Sequence, residues 1–269
     1  MIAPIQFNTI KAFNRNKSCS AQNLCKNITF AARPEYDILD KNEDLDVRAS
    51  HYFRRGKLLG SQKEEFKDVI DAIKLVFSDN QKPKILIVGI GKAQEPFSIL
   101  ATIKDLVKNK PLNSVVDLNC VDLQPKISDV DLQKYAQLKF NSKPLFAKNS
   151  FDRVKDPKYQ GYYYYKVKSG IFNYLKKVFD NPTKTKWDTK IEEFSASCPP
   201  KTYDMISINN TLGYLKDLET KKTTMNNLSK LLKINGVLIT DVDDSFYRQI
   251  YTCLSDFKNL NPGIWQKLR

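Results

Sequence analysis

The stretch ILIVGIGKAQEPFSIL, residues 85–100, is the clearest indication of the fold. It opens with a continuous apolar run rich in β-branched residues, which is typical of a strand buried on both faces of a parallel sheet. Gly89 and Gly91 follow as a tight turn, and a helical pattern then opens at Pro96, a residue that suits the first helical position. This order of strand, glycine turn and helix predicts a ligand-binding loop at the carboxyl end of the first strand.

Strand and helix patterns continue to alternate along the chain. A capping-box pattern at Ser61 and Glu64 precedes a predicted helix over 62–78. Later predicted elements are a strand in SVVDLNCVDL (114–123), a hairpin strand in GYYYYKVKSG (161–170), a strand in YDMISINNTLGYL (203–215), a helix in TTMNNLSKLLKING ended by Gly236, and a strand in VLITDVD (237–243). The alternation predicts an α/β fold, a doubly wound, Rossmann-like and mostly parallel sheet with a small β-hairpin insertion.

Composition divides the chain into four segments. Residues 1–34 contain no acid, so we expect 1–44 to be an N-terminal extension that is disordered or loosely packed. Residues 45–80 read as a helical lead-in that contributes to the ligand site. Residues 81–245 form the Rossmann-like domain, with its β insertion near 150–170, and 246–269 are a C-terminal segment.

Charge and cysteine content limit the classes of function. The formal net charge is +14, but the lysines are dispersed, which favours a solvated surface over a nucleic-acid site. No run approaches the roughly 18 apolar residues of a membrane span, so we expect no membrane insertion. Five scattered cysteines and a single histidine, His51, predict no metal site and a reducing, cytoplasmic location. The oligomeric state is not indicated.

Two acids indicate which ligand the loop binds. Gln94 stands where a dinucleotide-binding loop needs its third glycine, and Glu95 puts a carboxylate where a pyrophosphate would sit. An anion there repels phosphate and favours a cation, as in S-adenosylmethionine, a nucleoside with a sulfonium, an amino group and no phosphate. Asp122 ends the second strand, where a carboxylate can accept hydrogen bonds from ribose hydroxyls. The alternatives are a helix-capping role for Glu95 and a turn role for Asp122.

These segments resemble the CheR family, S-adenosylmethionine-dependent methyltransferases that esterify glutamates on chemotaxis receptors. GIGKAQEPFSILATI is similar to its Gly-x-x-x-x-Glu-Pro-Tyr-Ser signature. Four further segments match family motifs in the same order: SHYFRRGKLLGSQKEEFKDVI, NCVDLQP, GYYYYKVKSGIFNYL and YDMISINNTLGYL, and LSKLLKINGVLIT is similar to the entry into the next strand. The resemblance covers roughly residues 45–242 and implies a sheet of the class I methyltransferase type.

The resemblance also implies site residues. The residues it implies for cofactor binding are Ser50, Arg54, Glu95, Asp122 and Asn210, and the loop glycines Gly89 and Gly91 and the neighbouring Asn209 complete the candidate set. Arg54 and Tyr214 would be catalytic, orienting the acceptor. The chain departs from the family at Asn209, which replaces an Arg, and at Gln94, which replaces an acid. The adenine-proximal residues are not fixed by the motifs, although Glu192 or Glu193 is a candidate.

The implied activity is methyl transfer to a carboxylate of a partner protein, with S-adenosylmethionine as cofactor. One alternative is an RNA or small-molecule methyltransferase on the same fold, for which the Tyr- and Lys-rich hairpin strand is the candidate surface. Another is an interaction module that keeps the fold without catalysis, which the changes at positions 94 and 209 favour. Purely structural roles also stay open for three of these features: core packing for the segment HYF, a turn role for Asn210, and aromatic packing for Tyr214.

Overall fold

A computed structural model describes residues 52–53, 62–79, 81–138, 143–157, 160–209, 211–240 and 254–269. All of them belong to one compact unit. The expectations for residues 1–44 and the capping-box side chains fall outside the described residues. Within the described ranges, no helix has both the length and the apolar character needed to cross a membrane. The cytoplasmic location stays a prediction.

Helices and strands alternate through the described part of the chain. The helices are α1 Gln62–Asp79, α2 Gln94–Val107, α3 Leu112–Val115, α4 Asp129–Tyr135, α5 Ser169–Asp180, α6 Ile191–Ser197 and α7 Leu218–Leu231. The strands are β1 Lys84–Val88, β2 Asp117–Val121, β3 Phe151–Lys155, β4 Tyr163–Val167, β5 Thr185–Lys186, β6 Tyr203–Ile208, β7 Leu232–Thr240, β8 Phe257–Asn261 and β9 Ile264–Lys267.

Seven of these strands form one sheet in the order β5-β2-β1-β6-β7-β9-β8. The pairs from β5 to β7 are parallel, whereas β9 runs antiparallel to both of its neighbours. Strands β3 and β4 pair separately as an antiparallel hairpin. The order reverses direction at β1, so the carboxyl ends of β1, β2 and β6 meet at the switch point where open α/β sheets bind ligands.

Both faces of the central sheet are buried, which is why the strands read as continuous apolar runs. On β1, Ile85 and Ile87 pack into the core that contains α1, α2 and α5. Leu86 and Val88 pack into a second core with α6 and α7. The predicted α/β class, its mostly parallel sheet and the hairpin insertion are confirmed.

The first helix after the glycine loop begins earlier than predicted. Its first residue is Gln94, so Pro96 occupies the third helical position rather than the first. The first N–H groups of a helix have no partner within it, so a proline there costs no hydrogen bond. The N–H of Phe97 donates to the carbonyl of Ala93 (3.0 Å), which starts the regular pattern.

Gly236 does not end a helix, as the sequence predicted, but lies inside β7. The helix α7 ends at Leu231, and the pairing of β7 with β6 is interrupted between Tyr203 and Met205. A Cβ on Gly236 would lie 2.9 Å from the carbonyl oxygen of Lys233 and 3.2 Å from that of Asp204. The glycine is therefore required by close backbone approach at a bulge. The hairpin of β8 and β9 lies in the C-terminal segment, to which the sequence assigned no element.

One carboxylate ties the amino-terminal ends of three central strands together. Asp204, at the start of β6, accepts a hydrogen bond from the backbone N–H of Lys84 on β1 (2.8 Å). Its two oxygens also accept from the ammonium group of Lys233 on β7 (2.9 Å each). Only 14% of the Asp204 side chain is exposed.

We expect Asp204→Ala to lower the free energy of unfolding by about 1–3 kcal/mol, because it leaves a half-buried N–H group without its acceptor. Urea denaturation measures the change. The matched control is Asp71→Ala, which removes exposed ion pairs to Lys67 and Lys74 within α1 and should cost less than about 1 kcal/mol. Equal losses in the two variants would contradict the structural role of Asp204.

Candidate cofactor site

The loop after β1 has a backbone path that needs glycine. Gly89 and Gly91 have φ angles of +78° and +53°, in the left-handed region that glycine enters without steric cost. Ala93 also has a positive φ, +59°, which costs an L-residue roughly 1–2 kcal/mol. The N–H of Gly89 donates to the carbonyl of Val121 at the end of β2 (3.0 Å). The loop is therefore attached to the neighbouring strand at its first residue.

Asp122 holds the rest of this loop. Its Oδ2 accepts hydrogen bonds from the N–H groups of Ile90 and Gly91, the latter at 3.0 Å. Its Oδ1 accepts from the N–H of Gln124 (3.0 Å). The side chain of Gln124 returns to the loop and donates to the carbonyl of Gly91 (2.7 Å). Asp122 and Gln124 thus fix the loop from the side of β2.

Burial is the main influence on the pKa of Asp122. Desolvation raises the pKa of the carboxyl, and hydrogen bonds from the backbone N–H groups of Gln124, Gly91, Ile90 and Leu123 lower it, with a net upward shift. A carboxylate offers about four lone-pair positions, so these four donors occupy most of its capacity. The structure therefore gives Asp122 a loop-holding role, and its predicted contact with ribose hydroxyls stays a prediction.

Glu95 is held by two polar residues of β6 and the turn that follows it. Its Oε1 accepts hydrogen bonds from the hydroxyl of Ser207 and from the side-chain amide of Asn209 (2.8 Å). The same amide lies 3.1 Å from the hydroxyl oxygen of Ser207. Ser207 is fully buried and Asn209 is only 7% exposed, yet Oδ1 of Asn209 has no hydrogen-bond partner. The cluster is rich in acceptors and includes one buried acceptor that is unsatisfied.

The two predicted acids lie on the same side of the molecule. The buried thiol of Cys120, near the end of β2, has its pKa raised mainly by burial and further by the carboxylates of Asp122 and Glu95. The hydrogen bonds of Asp122 to the loop after β1, and of Glu95 to Ser207 and Asn209, place both carboxylates at the carboxyl end of β1. They flank the end of β1, with Asp122 over β2 and Glu95 against β6.

The two loop glycines differ in the space around them. A Cβ on Gly91 would meet no atom within 4 Å, so a ligand has access to the backbone there. A Cβ on Gly89 would lie 2.0 Å from the hydroxyl oxygen of Thr211, which is also 3.0 Å from the carbonyl of Val88. The turn after β6 covers the first glycine and leaves the second one open.

The predicted lead-in contacts this region through two aromatic residues. The ring of Tyr52 stacks on Phe97 of α2, with centroids 6.3 Å apart. The N–H of Phe53 donates to the hydroxyl of Ser98 in the same helix (2.9 Å). Both aromatics are buried in the core, so the core role for the segment HYF is confirmed for these two residues.

The remaining predicted residues have different outcomes. Ser50, Arg54 and Asn210 lie outside the described residues, and their roles stay predictions. Tyr214 is 55% exposed in a short turn after β6, so it is not a packed core aromatic. Of the two adenine candidates, Glu193 is exposed and 3.5 Å from the ammonium group of Lys190, while Glu192 has a buried oxygen, Oε2, without a hydrogen-bond partner. Burial therefore favours Glu192 as the candidate.

Three residues of the site were not identified from the sequence: Gln124, Ser207 and Thr211. Ser207 carried a usable signal, because it is a polar residue among the apolar residues 205–208 and shares one face of the strand with Met205 and Asn209. Gln124 and Thr211 lie in turns, where the sequence gives no indication of side-chain contacts. Within the described ranges, no group of three or more His, Cys, Asp and Glu side chains is placed to hold a metal ion.

Comparisons with known proteins find similar folds only. No family model matches the chain, and no curated protein matches it. A solved structure of the N-methyltransferase NodS from Bradyrhizobium japonicum, in complex with S-adenosylhomocysteine, is 12% identical over 84% of this chain and 100% of its own, with a TM-score of 0.40. A TehB-like methyltransferase from Corynebacterium glutamicum is 11% identical over 76% and 92%, with a TM-score of 0.35.

A third similar structure is the 1,6-didemethyltoxoflavin-N1-methyltransferase of Burkholderia thailandensis, 10% identical over 77% of this chain and 84% of its own, with a TM-score of 0.38. The likeness to these structures concerns the fold alone. The fold stands on the strand order, and the resemblance to CheR is neither supported nor contradicted by these structures.

The raised pKa of Asp122 predicts a pH dependence. A carboxyl whose pKa is higher in the folded protein than its ordinary value contributes stability at low pH and loses it as the pH rises through the folded value. We therefore expect Asp122→Asn to gain stability relative to the wild-type protein as the pH rises from about 4 to about 7. Urea denaturation across this range measures the difference.

The control is Asp217→Asn at the start of α7. Hydrogen bonding from the Thr220 N–H holds the pKa of Asp217 below its usual value, so the wild-type protein should gain stability relative to this variant as the pH rises. The same trend in both variants would show that the N–H groups around Asp122 outweigh its burial.

Proposed function

We propose that the chain is an S-adenosylmethionine-dependent methyltransferase. The main support for this proposal is the cluster of Glu95, Ser207 and Asn209 beside an open glycine loop, at the carboxyl ends of parallel strands. Such a site at the switch point of a doubly wound sheet suits a nucleoside ligand with a cationic group and no phosphate. The single antiparallel strand near one edge, β9, is in keeping with the class I methyltransferase type of sheet.

The amino-acid end of the cofactor fits the cluster. A primary ammonium group carries three donors and no acceptor, and the cluster supplies a carboxylate together with the unsatisfied Oδ1 of Asn209. A buried acceptor without a partner is costly, so a donor from a ligand would satisfy a requirement that the folded chain leaves open. Glu95 and Asn209 would hold this end, and the open face of Gly91 would lie along the ligand.

The ribose of the cofactor fits the site less well than its amino-acid end. This favours a second candidate function, an interaction module without catalysis. The carboxylate of Asp122 already accepts from four backbone N–H groups, and Thr211 covers Gly89. A ribose would have to share the Asp122 oxygens with the loop. If it does not, the fold serves as an interaction module without catalysis. Binding of the cofactor by the wild-type protein decides between the two functions.

When bound, S-adenosylmethionine supplies an activated methyl group on a sulfonium, which transfers to a nucleophile by in-line displacement. The task of the protein is positioning, which can be worth about 7–11 kcal/mol. Glu95, Asn209 and the loop fixed by Asp122 would orient the ligand. The turn bearing Tyr214 begins three residues after Asn209 and would lie on the acceptor side, because more than half of this residue is exposed.

We propose a protein carboxylate as the acceptor, on the strength of the resemblance to CheR. A glutamate has an ordinary pKa of about 4.3, is ionised near neutral pH and needs no general base. Arg54 would orient the acceptor through a charge-assisted pair of hydrogen bonds, and Tyr214 would add one more. Asn209, in place of the family's Arg, leaves Arg54 as the cation assigned to the acceptor. RNA and small amines are the other acceptor classes that the experiments distinguish.

The cofactor is tested first by calorimetry. We expect the wild-type protein to bind S-adenosylmethionine and Glu95→Gln to bind it about 10–100-fold more weakly, because the substitution removes the charge from a hydrogen bond to an ammonium group. Glu219→Gln, at a glutamate whose side chain is 81% exposed on α7, is the matched control and should bind normally. No heat with the wild-type protein would support the non-catalytic alternative.

The acceptor is tested with labelled cofactor and a native lysate. We expect Arg54→Ala to bind the cofactor with little change while methyl transfer falls by about 100-fold or more, since the acceptor loses its orienting group. Protein-bound label that mild alkali releases as methanol identifies a carboxyl ester. Alkali-stable label on RNA or on an amine would contradict the carboxylate acceptor, and undiminished transfer by Arg54→Ala would remove this residue from the reacting centre.

A further inference from the structure

Ser207 is a polar residue in the fully buried part of the central strand β6. It pairs with Ile87 of β1 and Ile239 of β7, so it lies between two strands and has no exposed surface. The residues before and after it, Ile206 and Ile208, are also fully buried. A hydroxyl at such a position costs free energy unless it is hydrogen-bonded. A small apolar residue would fill the same place without that requirement.

The hydroxyl of Ser207 is directed at the first turn of α2. It donates to Oε1 of Glu95, and the side-chain amide of Asn209 donates to the same oxygen from the other side. The amide of Asn209 is also within hydrogen-bond distance of the hydroxyl oxygen of Ser207. Glu95 is therefore held by two donors from one strand end, while its backbone belongs to a helix on the face of the sheet.

The rotamers available to a glutamate explain why two donors matter. Glu95 has three rotatable side-chain bonds, and a half-buried carboxylate without fixed partners would sample several positions. Two hydrogen bonds to Oε1 fix the position of that oxygen and so restrict the side chain. A carboxylate fixed in advance binds a cation more tightly than a mobile one, because no ordering cost remains at binding.

We infer that Ser207 is a positioning residue for recognition of the cofactor's ammonium group, acting through Glu95. This inference rests on the proposed function. It predicts selectivity rather than general affinity: the effect of Ser207 is confined to ligands that carry the amino-acid end. S-adenosylhomocysteine carries that end, whereas 5′-methylthioadenosine has the same nucleoside without it. The ratio of their dissociation constants isolates the contribution of the ammonium site.

The experiment measures both dissociation constants by calorimetry on the full chain. In Ser207→Ala we expect the preference for S-adenosylhomocysteine over 5′-methylthioadenosine to fall about tenfold, with binding of 5′-methylthioadenosine unchanged. Ser207→Cys keeps a side chain of similar size with a weaker donor, and its preference should fall in the same direction by less. If the alanine variant does not fold, the preference is measured on this second variant instead.

The matched control is Ser150→Ala, which removes another buried serine hydroxyl, one that donates to the carbonyl of Ala101 (2.9 Å). It should leave the preference unchanged. An unchanged preference in both Ser207 variants, or equal weakening of both ligands, would overturn the inference while the proposed cofactor stands. Failure of the wild-type protein to bind either ligand would overturn the proposed function, and the inference with it.

Discussion

The site depends on the hydrogen bonds between the Asp122 carboxylate and the N–H groups of the glycine loop. The loop follows a backbone path with three positive φ angles in five residues, which no helix or strand would stabilise. Asp122 supplies acceptors that this path would otherwise lack, and Gln124 returns a donor to it. With the loop fixed, the first turn of α2 is fixed as well, and Glu95 reaches the end of β6.

This arrangement explains why the acids at positions 95 and 122 differ in role. Both were predicted as ligand contacts, Glu95 with the cationic group and Asp122 with the ribose hydroxyls. In the structure, Asp122 is engaged by four backbone donors, while Glu95 is engaged by side chains and lies next to an acceptor of Asn209 that has no partner. Asp122 therefore holds the loop, and the cluster around Glu95, which keeps one acceptor open, is where we propose that the ligand binds.

The sequence predicted those features that repeat along the chain. The buried run at 85–88, the helix behind Ser61 and the hairpin around Tyr163 follow from side-chain periodicity, which a single sequence displays directly. Gly236 was assigned to a helix end because close backbone approach at a bulge leaves no periodic trace. The contacts of Ser207 and Thr211 join residues more than a hundred positions apart, so they depend on the strand order. The position of the acids at a helix start and a strand end, together with the motif resemblance, identified Glu95 and Asp122, but neither indicated which groups hold them.

A crystal structure of the protein with S-adenosylhomocysteine tests directly whether the cluster around Glu95 binds the amino-acid end of the cofactor. We expect the amino nitrogen of the ligand within hydrogen-bond distance of the Glu95 carboxylate and of Oδ1 of Asn209, with the nucleoside passing Gly91 toward Asp122. The contrary result is a saturated crystal in which the ligand is absent from this loop or bound elsewhere, with Oδ1 of Asn209 satisfied by a side chain of the protein itself.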